Sequence, residues 1–164
     1  KKISEISNRL FNEGIPMSYH EHMGTIIQTE EDVDKFLTLT NEKTYLLFDT
    51  GHLFFSQANY ESMLKKYITR INHIHCKDIR KSVLDNSLKN DKSFRCSFLD
   101  GVFTVPGDGC INYNPLIKVL YENKYQNWLV IEAEQDPAKA NPYKYAKMGY
   151  EYLSKILSNV GYKI

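Results

Sequence analysis

Apolar residues follow two spacings along this chain. Short runs such as Leu46-Leu47-Phe48, Ile71 to Ile74 and Trp128-Leu129-Val130-Ile131 are bounded by polar and turn-forming residues, the mark of strands. Between them apolar residues recur every three or four positions, the mark of amphipathic helices. Ile3, Ile6, Leu10 and Phe11 predict a helix over 2–13, stopped by Asn12-Glu13-Gly14 with Pro16 soon after. A short strand is predicted over 17–22. Thr29 before Glu30-Glu31-Asp32 reads as an N-cap with acids in the first turn, opening a helix with Val33, Phe36 and Leu37 on its apolar face. A strand over 45–48, a helix over 57–70 (Tyr60, Met63, Leu64, Tyr67, Ile68) and a strand over 71–75 follow. Residues 79–90 are polar but compatible with a helix, 91–105 are mixed, and Pro106-Gly107-Asp108-Gly109 is a turn. A helix over 111–123, the strand at Trp128 to Ile131 and a last helix over 141–157 complete the pattern.

The order is one helix followed by four β-α units. Such alternation implies an α/β fold with a parallel sheet and right-handed crossovers. The 164 residues form about one domain. No glycine-rich dinucleotide fingerprint or P-loop occurs, so nucleotide binding has no support.

Every predicted strand ends in candidate ligands, and in parallel α/β folds the C-terminal ends of strands carry the chemistry. Residues two apart share a face of a strand. His20 and His22 therefore go together with Glu21 opposite, His73 goes with His75, and Glu132 with Glu134. Each group alone has an ordinary reading: a hydrogen-bonded histidine, a cap carboxylate at Asp49, a solvated Lys77, a cap histidine at His52. A carboxylate after four apolar residues, as at Glu132, needs a partner. Four such groups at four successive strand ends point to a divalent transition metal, which imidazole and carboxylate suit. Lys77 and His52 beside them are candidates for an electrostatic clamp on a substrate oxygen and a proton shuttle. Met23, Asp108 and the three cysteines are read as packing or turn residues.

Hydrophobic residues make up 42% and charged residues 25% of the chain, and the net charge is +1. These values are those of an ordinary soluble domain, and without a basic block a nucleic-acid partner is disfavoured. No stretch approaches a membrane span. Cys76, Cys96 and Cys110 have no zinc-finger spacing and read as free thiols of a reducing, cytoplasmic compartment.

Five runs now carry a resemblance. Tyr19 to Thr25 (YHEHMGT), Leu47 to His52 (LFDTGH), His73 to Asp78 (HIHCKD), Val102 to Gly109 (VFTVPGDG) and Val130 to Pro137 (VIEAEQDP) are similar to those of the myo-inosose (2-keto-myo-inositol) dehydratases. That family belongs to the xylose-isomerase-like superfamily of (β/α)8 TIM barrels. The resemblance implies a cytoplasmic hydro-lyase of myo-inositol catabolism that converts a cyclitol ketone to a trihydroxycyclohexane-1,2-dione. It implies one divalent metal, Mn²⁺ or Co²⁺, on His20, Asp49, His75 and Glu132, with glutathione as a further cofactor. His20 stands where most relatives have glutamate, and Glu21, one place off, is the alternative ligand. Glu132 or Glu134 is implied as base, and Lys77, His52 or His22 as proton donor. The resemblance further implies a partial barrel, strands five to eight preceded by one helix, over residues 1–164. The missing half would then come from an N-terminal companion or from self-association. A metal-dependent sugar isomerase or epimerase on the same scaffold is the nearest alternative activity. An abasic-site nuclease and an inactive truncated fragment are the others.

Overall fold

A computed structural model describes residues 1–164. It opens with α1 (Lys2–Asn12) and β1 (Ser18–His20), followed by α2 (Glu30–Leu39) and β2 (Tyr45–Asp49). Next come α3 (Thr50–Phe55), α4 (Tyr60–Tyr67) and, after a single 3₁₀ turn, β3 (Ile71–Cys76). The middle holds β4 (Asp78–Ile79), α5 (Lys81–Lys89), α6 (Phe94–Leu99) and β5 (Phe103–Thr104). It closes with α7 (Tyr113–Glu122), β6 (Trp128–Ile131) and α8 (Pro142–Val160).

The main sheet is parallel and runs β1-β2-β3-β6 in chain order. Its register places His20 beside Leu47, Asp49 beside His75 and His75 beside Val130, so the polar strand ends line up across the sheet. Alternation then separates two faces. Leu46, Phe48, Ile74 and Cys76 join Val33 and Leu37 of α2, Met63 and Leu64 of α4, Leu116, Ile117 and Leu120 of α7, and Leu153 and Ile156 of α8 in one buried cluster. The other face carries His20, Asp49 and His75. Each buried leucine, isoleucine or phenylalanine contributes about 1.5–3 kcal/mol to holding the helices on the first face.

Local chemistry fixes the helix ends. Thr29 accepts from the Asp32 amide while the Asp32 carboxylate accepts from the Thr29 amide, a reciprocal capping box. Gly161 ends α8 at φ +105°, a left-handed conformation that glycine adopts without strain.

Three expectations are corrected. The helix expected over 57–70 is shorter and is preceded by α3, which starts directly at the end of β2 because the Asp49 side chain accepts from the Gly51 and His52 amides. Ile79 is not helical but pairs with Phe103 in a small antiparallel ladder of β4 and β5. Asp108 does more than turn the chain: its Oδ2 accepts from Arg80 Nη2 at 2.8 Å and from Thr104 Oγ1 at 2.6 Å, tying the segment after β5 to the end of β4.

Candidate active site

The site grows from Asp49. Its Oδ1 is consumed as the cap of α3, accepting from Gly51 N at 2.9 Å and His52 N at 3.1 Å. Its Oδ2 is left to face the ends of the neighbouring strands. His20 Nε2 lies 3.3 Å away, His75 Nδ1 3.4 Å and Lys77 Nζ 3.1 Å. Glu132 Oε2, one residue past β6, lies 3.0 Å from His75 Nδ1 and 2.8 Å from Lys77 Nζ. The structure therefore brings His20, Asp49, His75 and Glu132 to one place. The potential ligand atoms of His20, Asp49 and His75 all lie within 4.8 Å of one another, and Glu132 joins through His75.

Beside this group stands a second. His22, His52 and Glu134 also bring their ligand-type atoms within 4.8 Å. The His22 and His52 rings are stacked with centroids 3.7 Å apart. Glu134 reaches His22 Nε2 at 3.3 Å, His52 Nε2 at 3.4 Å and Lys77 Nζ at 3.3 Å. Lys77, fully buried, joins the two groups, with its ammonium also 2.9 Å from His52 Nε2 and 5.1 Å from the Phe103 ring centre. Phe94 of α6 closes the far side, its ring against those of His22 and His52.

The charges follow from this geometry. Burial alone would raise Asp49, but His20, His75, Lys77 and His52 outweigh it and hold its carboxyl well below the usual range. Glu132 is likewise held down at about 2, burial being overcome by His75 and Lys77. For His75, burial works against the charged ring, yet Asp49 and Glu132 bring it up to about 9. Lys77 stays an ammonium: burial opposes its charge, and Asp49, Glu134 and Glu132 more than restore it. His52 is driven down to about 3, mainly by burial, with Asp49 opposing and Lys77 adding to the drop.

The remaining strand-end groups take other places. Glu21 points away from the His20 face and is fully buried; its Oε1 accepts from the Asp49 amide at 2.9 Å, while Oε2 has no partner. Burial, with the Asp49 charge second, pushes that carboxyl well up, and Glu21 braces the end of β2 from behind. His73 lies beside His75, ring centres 5.3 Å apart, outside both groups. Sequence reasoning did not single out Glu21 as a brace, nor Thr50, Phe94, Phe103 and Tyr113 around Lys77. Their one signal was polar or aromatic character next to the motifs.

The description of the xylose isomerase-like TIM barrel matches residues 1–156. The chain belongs to that family. An inosose dehydratase of Clostridium beijerinckii is 48% identical over 145 residues, covering 88% of this chain and 49% of its own length. One from Clostridium botulinum (strain Eklund 17B / Type B) is 52% identical over 139 residues, 84% of this chain and 46% of its own. The rhizopine catabolism protein MocC of Rhizobium meliloti is 40% identical over all 164 residues, which make up 50% of it. This chain thus spans about half the length of the curated relatives it matches. Among solved structures, the IOLI protein with a binding zinc atom superposes with a TM-score of 0.70 at 17% identity, over 98% of this chain and 55% of that one. The probable 3-DHS dehydratase AsbF of Bacillus anthracis gives 0.69 at 15% identity, over 93% and 54%. These two likenesses establish the fold.

Proposed function

We propose that this chain carries the metal and acid–base residues of a hydro-lyase that dehydrates 2-keto-myo-inositol to a trihydroxycyclohexane-1,2-dione. The observation that carries the reading is the pair of adjoining groups, one of metal-ligand type and one of acid–base type, held together by a buried lysine. The 48% and 52% identical relatives are inosose dehydratases, which supports the choice of substrate.

The first group fits a divalent metal. It offers two imidazoles and two carboxylates, and His75 Nδ1 faces both Asp49 Oδ2 at 3.4 Å and Glu132 Oε2 at 3.0 Å. Imidazole and carboxylate donors that converge on one place are a ligand set that divalent transition metals take. His20, Asp49, His75 and Glu132 would hold the ion, Mn²⁺ or Co²⁺ in this reading; the IOLI protein, of the same fold, binds zinc. When bound, the metal supplies Lewis-acid stabilisation of an enolate oxygen.

The second group has the parts for proton transfer. His22 Nδ1 faces the Met23 carbonyl at 2.8 Å and so carries a hydrogen. Its Nε2 lies 3.3 Å from Glu134 Oε1, within reach of a shared proton. In this reading His22 and Glu134 share one proton, which makes one partner the acid and the other the base. Glu134 takes the proton next to the ketone, and His22 gives its own to the hydroxyl leaving from the adjacent carbon, which departs as water. The proton on Glu134 then passes to His22 and restores the pair, while the enol product relaxes to the diketone. Glu132, held down at about 2 by His75 and Lys77, is the poorer base. Lys77 steadies the negative oxygen with its ammonium, and neutral His52 holds Lys77 in place.

The outer edges of β1 and β6 have no strand beside them. In this reading the four strands correspond to strands five to eight of the barrel, and a complementary half or a second copy supplies the rest. The decisive assay, run on the chain assembled with its complementary half or a second copy, follows the absorbance of the conjugated diketone formed from 2-keto-myo-inositol, with and without added Mn²⁺ or Co²⁺. Metal-dependent diketone is the expected result. An epimerised or isomerised sugar with no diketone would overturn the dehydratase reading in favour of an isomerase on the same scaffold.

A further inference from the structure

A lysine usually runs its stem along apolar surface and keeps its ammonium in water. Lys77 does neither: all of it is buried. Its stem lies directly over Gly51, the second residue of α3. A Cβ at Gly51 would meet Lys77 Cγ at 2.6 Å, Cδ at 2.8 Å and Cβ at 2.9 Å, closer than such atoms can approach. Gly51 does not have a positive φ, so backbone strain does not explain the glycine, whereas the close approach does. The main chain of Lys77 is clamped from the same side. Its amide donates to Thr50 Oγ1 at 3.0 Å. Its carbonyl accepts from Thr50 Oγ1 at 2.7 Å and from the Tyr113 hydroxyl at 3.0 Å. Both Thr50 and Tyr113 are themselves buried, 2.9 Å from each other.

We propose that Gly51, Thr50 and Tyr113 form a positioning cradle for Lys77, in which the missing side chain of Gly51 is the slot for the lysine stem. The cradle fixes the ammonium between the metal-type group and the acid–base group. This rests on the function proposed above, because the role of the ammonium does. The cradle adds residues from two further elements, α3 and α7, that touch no ligand atom of the first group except through Asp49's cap. Moving the ammonium by one methyl radius breaks its simultaneous contact with Asp49, Glu132, Glu134 and His52. Misplacement of a reacting group by ~1 Å costs about 100-fold in rate.

The test has two readouts. In brief acetylation of the native chain read by peptide mass, Lys77 should be protected while Lys66 and Lys81, on the surface, react. Gly51→Ala should raise Lys77 labelling about tenfold, the scale of a local opening made easier by ~1.4 kcal/mol, and leave Lys66 and Lys81 unchanged. Tyr113→Phe, which keeps volume and removes only the hydroxyl, should do the same to a smaller extent. In turnover, Gly51→Ala should cost about 100-fold in wild type but less than about twofold in a Lys77→Ala background. Protection of Lys77 in a folded Gly51→Ala protein, or penalties that multiply in the double variant, would overturn the cradle. Absence of turnover in the wild type assembled with its complementary half would instead count against the dehydratase reading, and the labelling would still judge the cradle.

Discussion

Asp49 and Asp78 make an instructive pair. Each stands at or just past the end of a main-sheet strand, each is fully buried, and each accepts backbone amides. Asp49 spends one oxygen on the start of α3 and turns the other to two imidazoles and an ammonium. Asp78 spends both. Its Oδ1 accepts from Ile79 N at 2.7 Å and Ile111 N at 2.9 Å, and its Oδ2 from Gly107 N at 3.3 Å. The consequence is opposite charge behaviour: Asp49 is held well below the usual range, while burial of Asp78, only partly offset by the amides, pushes it up. Burial and residue type are the same. What separates the two carboxylates is the lone pair left over after the backbone has been served.

The largest effect should come from Asp49→Asn. It keeps the shape and the α3 cap but leaves Lys77 and the imidazoles facing a neutral amide. Metal affinity, measured by calorimetric titration, should fall about 100- to 1,000-fold, the scale of breaking a buried charge contact. Wild-type affinity in that variant would dissolve the contrast with Asp78.

A pH series sharpens it on the Asp49 side. The folded-state value of His75 is raised to about 9, above the ordinary ~6.5 of an unfolded chain. Its contribution to metal-free stability is therefore fully present below pH ~6.5 and is lost as pH rises toward about 9. Metal affinity should move the other way over the same window, because a ligating imidazole must give up its proton. Thermal melts with and without Mn²⁺ across that range should diverge as pH rises, and parallel curves would mean that His75 does not titrate against Asp49 and Glu132.

The smallest effect should come from Asp78→Asn. The amide nitrogen cannot accept from a backbone N–H, so one or two of the three amides lose their acceptor. A loss of about 1–3 kcal/mol, or roughly 2–12 °C in Tm, should leave metal affinity at its wild-type value. A large drop in affinity would show that Asp78 reaches the site after all.

Much of this molecule was legible in the chain. The apolar runs located three strands of the main sheet and the short candidate over 17–22 the fourth, the Thr29 cap and its acids marked α2, and the polar residues after Phe48, Ile74 and Ile131 marked the end of the sheet where the candidate site lies. What was not legible depends on partners distant in sequence. Nothing near Asp78 announces that its oxygens are met by amides at Gly107 and Ile111. Nothing near Glu21 shows that it is sealed behind Asp49.

The sequence by itself determined spacing: which residues share a face of a strand, and which polar groups follow each apolar run, because side-chain direction is periodic along a strand. Only the tertiary structure decided how those groups divide the work. Strand register set Asp49 beside His75, and the passage of Lys77 over Gly51 placed one ammonium between two clusters. Those outcomes come from the packing of chain segments far apart in sequence, and distances of that kind, unlike periodicity, leave no local trace.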